Sequence, residues 1–194
     1  MKYKTIIFDL DGTLIDSKIN FSAIYQSLRL DPTKSIIEYV NSLSEEDRKS
    51  ALEIVHHYEE DGSTNSTLMP GVLELLEELF HQNLNLGVFT LNSRAIALKT
   101  LKRHQLKIPI VVAREDAKPK PDPEGLVKIC DHFSTSADKA LYVGDYKYDL
   151  IAGKNAKIKT ALYTRSTPDF NTTDAYLQFS HFNELSQYLF SPKT

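Results

Sequence analysis

The sequence predicts an α/β fold, a Rossmann-like three-layer α/β/α core with a mainly parallel sheet, plus a small all-α segment inserted after the first strand. Short apolar runs alternate with helix-like segments along most of the chain, which is the pattern of a parallel sheet covered by helices. Residues 17–68 break this alternation, because they carry apolar residues at helical intervals and no convincing strand. These two observations define the predicted architecture.

The predicted strands are short, continuous apolar runs, as strands buried on both faces should be. They cover residues 5–8, 86–90, 110–113, 140–143 and 160–163. Helical spacing between residues 72 and 80 and between residues 96 and 106 predicts crossover helices, the second with Ser93 as its N-cap. Apolar residues between 176 and 189 predict a final strand and helix.

The inserted segment repeats a helical pattern three times, with apolar residues beginning at positions 21, 36 and 51. The polar stretch 59–67 contains Asp61-Gly62-Ser63, which predicts a linker that returns the chain to the core. We therefore expect a core domain of residues 1–16 and 69–194 and a helical domain of residues 17–68.

Composition excludes several classes of protein. The chain has 194 residues, of which 41% are hydrophobic, and its formal net charge of −3 provides no basic field for a nucleic acid or an anionic membrane. Asp9 interrupts the first apolar run too early for a signal peptide or a membrane span, so we expect a cytoplasmic protein. The single cysteine excludes an intrachain disulfide. A small-molecule partner is the expectation that remains.

Carboxylates follow two of the predicted strands. Asp9 and Asp11 end the first strand before Gly12, and Asp145 ends another, with Asp149 one helical turn later. Paired aspartates before a glycine are also common in simple turns. Open α/β sheets, however, place their ligand sites at the carboxyl ends of strands, where these acids would converge. Carboxylate and carbonyl oxygens suit a hard divalent cation, and Mg²⁺ is the usual one beside phosphate.

Donors follow two further elements. Thr90 ends the second predicted strand, so its hydroxyl and the Leu91 amide can hold a phosphoryl oxygen near a helix start. Lys120 lies in a proline-rich loop, where Asp122 can cap the helix that follows. Lys118 also precedes a proline and is the alternative to Lys120 as the lysine of the site.

These motifs, in this order, resemble those of the haloacid dehalogenase superfamily: DxDGT at residues 9–13, the threonine at 90, a KPxPE-type lysine at 120 and GDxxxD at residues 144–149. The resemblance covers nearly the whole chain. The helical insertion is similar to a small C1-type cap, as in phosphoglycolate phosphatases and β-phosphoglucomutases. In many phosphoglycolate phosphatases an asparagine follows the threonine of the second motif, whereas here Leu91 does and Asn92 comes one residue later, so no role is predicted for Asn92.

The resemblance implies a role for each site residue. Asp9 would be the nucleophile, and Asp11 the general acid and then the general base. Mg²⁺ would be held by the Asp9 side chain, the Asp11 backbone carbonyl and Asp145, with Asp149 as a further ligand or as a partner of the ligands. Three groups would grip the transferring phosphoryl group, namely Thr90, the Leu91 amide and Lys120.

The expected activity is Mg²⁺-dependent hydrolysis of a small phosphorylated metabolite through an aspartyl-phosphate on Asp9. Asp11 argues for phosphate esters over halides, since dehalogenases of this superfamily lack a carboxylate there. Lys18 and Lys34 lie in no motif for the Schiff base that a phosphonatase needs. Two alternatives stay open: a phosphosugar mutase of the β-phosphoglucomutase type, and a non-catalytic phospholigand-binding protein on the same scaffold.

Overall fold

A computed structural model of the chain describes residues 2–191. Contacts within it divide the chain into two compact units, Met1–Asp16 with Thr67–Thr194, and Ser17–Ser66. The strands are β1 (Thr5–Phe8), β2 (Ile15–Asp16), β3 (Thr67–Leu68), β4 (Asn85–Phe89), β5 (Ile110–Val112), β6 (Ala140–Gly144), β7 (Lys159–Tyr163) and β8 (Leu177–Phe179). The helices are α1 (Phe21–Ser27), α2 (Ile36–Ser42), α3 (Glu45–Asn65), α4 (Val72–His81), α5 (Arg94–Arg103), α6 (Glu124–His132), α7 (Lys147–Asn155) and α8 (Phe182–Phe190).

Six strands form one sheet in the order β5-β4-β1-β6-β7-β8. Every neighbouring pair in it is parallel, with β1 between β4 and β6. The prediction of a mainly parallel sheet is therefore confirmed. All four residues of β1 are buried, which explains why an uninterrupted apolar run marks this strand in the sequence.

Helices cover both faces of the sheet. On β1, Ile6 and Phe8 belong to a core cluster that includes residues of α4, α5 and α8. Ile7, which points to the opposite face, belongs to a second cluster with residues of α6 and α7. The predicted three-layer α/β/α arrangement is therefore confirmed.

The starts of α5 and α6 can be compared with the two predicted helix caps. The Ser93 hydroxyl accepts a hydrogen bond from the Ile96 N–H at 3.4 Å, so Ser93 is the N-cap of α5, as predicted. The prediction that Asp122 caps α6 is wrong, because Pro123 is the N-cap; Asp122, one residue earlier, accepts from the Glu124 N–H at 2.9 Å. The loop after β4 therefore ends at a side-chain cap, whereas the loop before α6 ends at a proline.

The prediction of a linker at residues 59–67 is wrong, because α3 continues through Asn65. A side chain at Gly62 would lie 2.6 Å from the Ile19 side chain and 2.7 Å from the Ser17 carbonyl oxygen. The glycine thus permits close packing inside the helical unit and makes no turn. The Thr64 and Asn65 side chains each donate to a carbonyl four residues earlier, at 3.0 Å, so polar side chains are satisfied within the helix.

The helical unit Ser17–Ser66 has its own small core, formed by residues of α1, α2 and α3. Its buried apolar members are Ile24, Leu28, Val40, Ala51 and Val55. Just outside this unit, β2 and β3 pair antiparallel, with Ile15 opposite Leu68 and Asp16 opposite Thr67. Among residues 2–191, no helix combines the length and apolar character that crossing a membrane requires.

Candidate active site

The carboxyl ends of three neighbouring strands meet at one edge of the sheet. In the register of the sheet, Phe8 of β1 lies between Val88 of β4 and Val143 of β6. Asp9 directly follows β1, Thr90 follows β4 and Asp145 follows β6. The parallel pairing therefore brings these three side chains to the same edge.

Three carboxylates form a tight cluster there. One carboxylate oxygen from each of Asp9, Asp145 and Asp149 lies within 4.8 Å of the other two. Asp9 and Asp149 are almost fully buried, with 6% and 2% exposure. Three like charges this close in a dry site repel one another, so the donor set fits a divalent cation with a preference for oxygen ligands.

Lys120 supplies the positive charge within the cluster. Its ammonium donates to Oδ1 of Asp9 and, at 2.8 Å, to Oδ1 of Asp149. Lys120 is 5% exposed. The alternative lysine, Lys118, has a side chain that is 74% exposed and lies 3.9 Å from Asp122. The structure therefore places Lys120, and not Lys118, among the acids.

Asp149 is held by four donors. Oδ1 accepts from the Lys120 ammonium and from the Tyr142 hydroxyl at 2.6 Å. Oδ2 accepts from the backbone N–H groups of Asp145 at 3.2 Å and Tyr146 at 3.0 Å. A carboxylate offers about four lone-pair sites, so these donors account for the accepting capacity of Asp149. Its position in the first turn of α7 makes the two backbone contacts possible.

Burial dominates the electrostatics of the site. It raises the pKa of Asp9 to about 6, although Lys120 opposes the rise. Burial also raises the pKa of Asp145, to about 8, and the Asp9 and Asp149 carboxylates add to the effect. The pKa of Lys120 is raised, because its two carboxylate partners outweigh its burial. The raised pKa disfavours the ionised form of Asp145 at neutral pH, and a cation bound at the cluster would favour that form.

Asp11 lies beside the cluster without joining it. Its Oδ2 accepts from the Asn92 side-chain amide at 2.6 Å. The Asn92 N–H in turn donates to the Thr90 hydroxyl oxygen at 3.1 Å, and Thr90 and Asn92 are both buried. Leu91, between them, is half-buried. Sequence reasoning missed Asn92, and the only available signal was an amide two residues beyond a strand-end threonine.

Gly12 gives the acids room. Its φ is +88°, a left-handed conformation that side chains rarely adopt, and a Cβ there would lie 2.2 Å from Oδ2 of Asp145. The neighbouring Thr13 hydroxyl donates to Oδ1 of Asp145 at 3.3 Å. The turn after β1 therefore contacts the loop after β6 through residues 12 and 13.

A family model for the haloacid dehalogenase-like hydrolases matches residues 6–163, a span that contains every residue of the site described above. The chain belongs to the haloacid dehalogenase-like hydrolases. The family resemblance predicted from the four motifs is thereby confirmed.

Proteins similar to this hydrolase support the assignment. Pyrophosphatase PpaX of Halalkalibacterium halodurans is 30% identical over 182 residues, covering 84% of each chain. N-acetylmuramic acid 6-phosphate phosphatase of Pseudomonas putida is 27% identical over 184 residues, covering 83% of this chain and 82% of that protein. A predicted phosphoglycolate phosphatase from Haemophilus somnus has the same fold, with a TM-score of 0.75, 21% identity and coverage of 98% and 99% of the two chains.

Proposed function

We propose that this hydrolase is a Mg²⁺-dependent phosphatase that releases phosphate from a small phosphorylated metabolite through an aspartyl-phosphate on Asp9. The observation that carries the proposal is the convergence of Asp9, Asp145, Asp149 and Lys120 at one sheet edge. Phosphoryl transfer needs a nucleophile and positive charge that offsets the charge of the phosphate. The buried carboxylate can be the nucleophile, and the ammonium beside it supplies positive charge.

The first step forms a bond between the Asp9 carboxylate and phosphorus while the ester bond to the leaving oxygen breaks. Asp11 gives its proton to that oxygen. In the second step Asp11 takes a proton from water, which attacks phosphorus, and the bond to Asp9 breaks. Inorganic phosphate leaves, and both aspartates return to their starting states. The Asn92 side-chain amide supports this role, because it donates to Oδ2 of Asp11 at 2.6 Å and so orients the carboxyl group.

The phosphoryl group needs donors in both steps. Lys120 is already oriented by Asp9 and Asp149. The Thr90 hydroxyl oxygen accepts from the Asn92 N–H, which leaves its own proton for a phosphoryl oxygen. We assign the backbone amide of Leu91 as the third donor, since Leu91 lies between Thr90 and Asn92. Together they would stabilise the charge on the transferring group.

The acids divide between metal binding and support. We assign Mg²⁺ to the Asp9 carboxylate, the Asp11 backbone carbonyl and Asp145. Asp149, whose oxygens already accept four hydrogen bonds, would act on the site by holding Lys120 and the loop after β6. When bound, the ion would offset the negative charge of the acids and of the phosphate.

The substrate is proposed only as a class. The two curated relatives act, by their names, on pyrophosphate and on a sugar phosphate, and they are 30% and 27% identical to this chain. Both are small phosphorylated compounds. That shared chemistry supports a small phosphorylated metabolite as the substrate class here.

The test is phosphate release from p-nitrophenyl phosphate and from a panel of phosphorylated metabolites that includes pyrophosphate. Wild type is compared with Asp9→Asn, with and without Mg²⁺, and with Asp131→Asn as the control, because Asp131 is an exposed residue of α6. We expect Mg²⁺-dependent release in wild type and Asp131→Asn and none in Asp9→Asn. The proposal would be refuted if Asp9→Asn still released phosphate, or if wild type released no phosphate from any compound of the panel. Isomerisation of a hexose 1-phosphate without release would identify a mutase.

A further inference from the structure

Tyr142 is a fully buried polar residue that the steps above leave without a role. It lies in the middle of β6, and its ring belongs to the core cluster on the face covered by α6 and α7. A buried tyrosine hydroxyl normally finds a hydrogen-bond partner. Here the partner is Oδ1 of Asp149, at 2.6 Å, the same oxygen that accepts from Lys120. The hydroxyl and the ammonium thus share one acceptor.

The position of Lys120 depends on two competing carboxylates, Asp9 and Asp149. The Lys120 ammonium also lies over the rings of Phe89 and Tyr142, with centroids 5.3 Å and 5.8 Å away. The hydrogen bond from the Tyr142 hydroxyl stabilises part of the negative charge on Asp149. Without it, Asp149 would attract the ammonium more strongly and draw it from Asp9.

We infer that Tyr142 is a positioning residue whose hydroxyl, by holding Asp149, keeps the Lys120 ammonium against Asp9 and available to the phosphoryl group. Its catalytic consequence rests on the proposed phosphatase activity. The coupling between Tyr142 and Lys120 does not, because it is a property of the folded chain alone. The two can therefore be tested separately.

The kinetic test is Tyr142→Phe, which removes one oxygen and keeps the ring. We expect kcat with p-nitrophenyl phosphate to fall about tenfold, the size of one hydrogen bond to a charged group. KM should change less than about twofold, since the loss falls on charge that develops in the transition state. The control is Tyr3→Phe: Tyr3 is 3% exposed, its hydroxyl lies 3.4 Å from that of Tyr188, and it precedes the opposite end of β1. Its kcat should equal that of wild type.

A second measurement separates positioning from general support of the core. In a Lys120→Met background, Tyr142→Phe should cause no further loss of kcat, because the group that it positions is gone. Urea denaturation of the wild type, the two single variants and the double variant gives the same comparison without turnover. We expect the shift in midpoint of the double variant to be larger than the sum of the two single shifts, because Oδ1 of Asp149 then loses both donors and neither can compensate for the other.

Three results would overturn the inference: a Tyr142→Phe protein with the kcat of wild type, equal kcat losses in Tyr142→Phe and Tyr3→Phe, or additive midpoints in the denaturation cycle. If wild type releases no phosphate from any substrate of the panel, the proposed function fails, and the denaturation cycle still decides whether Tyr142 and Lys120 are coupled.

Discussion

Replacing Lys120 with methionine tests the electrostatic balance of the site directly. The change removes the ammonium and keeps most of the aliphatic stem. It leaves Asp9 and Asp149 buried, with side-chain exposures of 8% and 3%, and without the cation that both contact. Breaking a buried ion pair by removing one partner costs about 3–5 kcal/mol. We expect the free energy of unfolding of metal-free protein at pH 8 to fall by about that amount.

The loss should shrink as the pH falls. Burial already raises the pKa of Asp9 to about 6, and removal of Lys120 raises that pKa further. A carboxyl group whose pKa is raised in the folded state destabilises the fold as pH rises through that pKa, because the unfolded chain ionises freely. Lys120→Met should therefore cost less stability at pH 5, where Asp9 takes up a proton, than at pH 8.

The assay is equilibrium urea denaturation of both proteins at the two pH values, with Lys118→Met as the matched control. Lys118 lies in the same loop, but its side chain is 74% exposed and its contact with Asp122 is 3.9 Å long. Such a surface pair contributes little, so the control should stay within about 0.5 kcal/mol of wild type. Equal free energies of unfolding for the two variants at pH 8 would refute the reasoning.

Two further predictions concern the turn after β1 and the far end of the sheet. Gly12→Ala should lower the free energy of unfolding by more than about 1 kcal/mol and abolish Mg²⁺-dependent phosphate release. The reason is that the residue has a φ of +88° and the added Cβ would collide with Asp145. Thermal unfolding and a phosphate assay check this, and a fully active variant would contradict it. The Lys2 ammonium, 2.8 Å from the Tyr176 hydroxyl, lowers the pKa of Tyr176 to about 8. Ultraviolet titration should show one tyrosine ionising near that pH, and Lys2→Met should return it toward 10; an unchanged titration curve would contradict the contact.

The parts of the fold that the sequence predicts are those with an uninterrupted pattern. β1 has the predicted bounds of residues 5–8, since a strand buried on both faces is a plain apolar run. The pair β2 and β3 could not be predicted, because two residues each are too few to show a period. The end of α3 was predicted wrongly, because Gly62 looks like a turn residue when the packing of Ile19 against it is unknown.

The candidate site divides in the same way. Asp9 and Asp145 are predictable, since each is polar at the end of an apolar strand, and Lys120 is recognisable from its proline-rich loop. Asn92 and Tyr142 are not, because their roles depend on side-chain contacts with Asp11 and Asp149 that the sequence pattern does not reveal. A tyrosine inside an apolar strand is typical of core packing, and only the structure shows where its hydroxyl lies.

The pairing of β2 with β3 has a consequence for how this chain can change. Ile15 lies opposite Leu68, so the chain leaves the core and returns to it side by side. Neighbouring antiparallel residues are about 5 Å apart, a gap that a short hairpin turn closes as well as a long segment does. Residues 17–66 therefore occupy an insertion point whose two ends are already joined by hydrogen bonds. Lengthening, shortening or exchanging that segment would leave the strand ends that carry Asp9 and Asp145 connected as they are now.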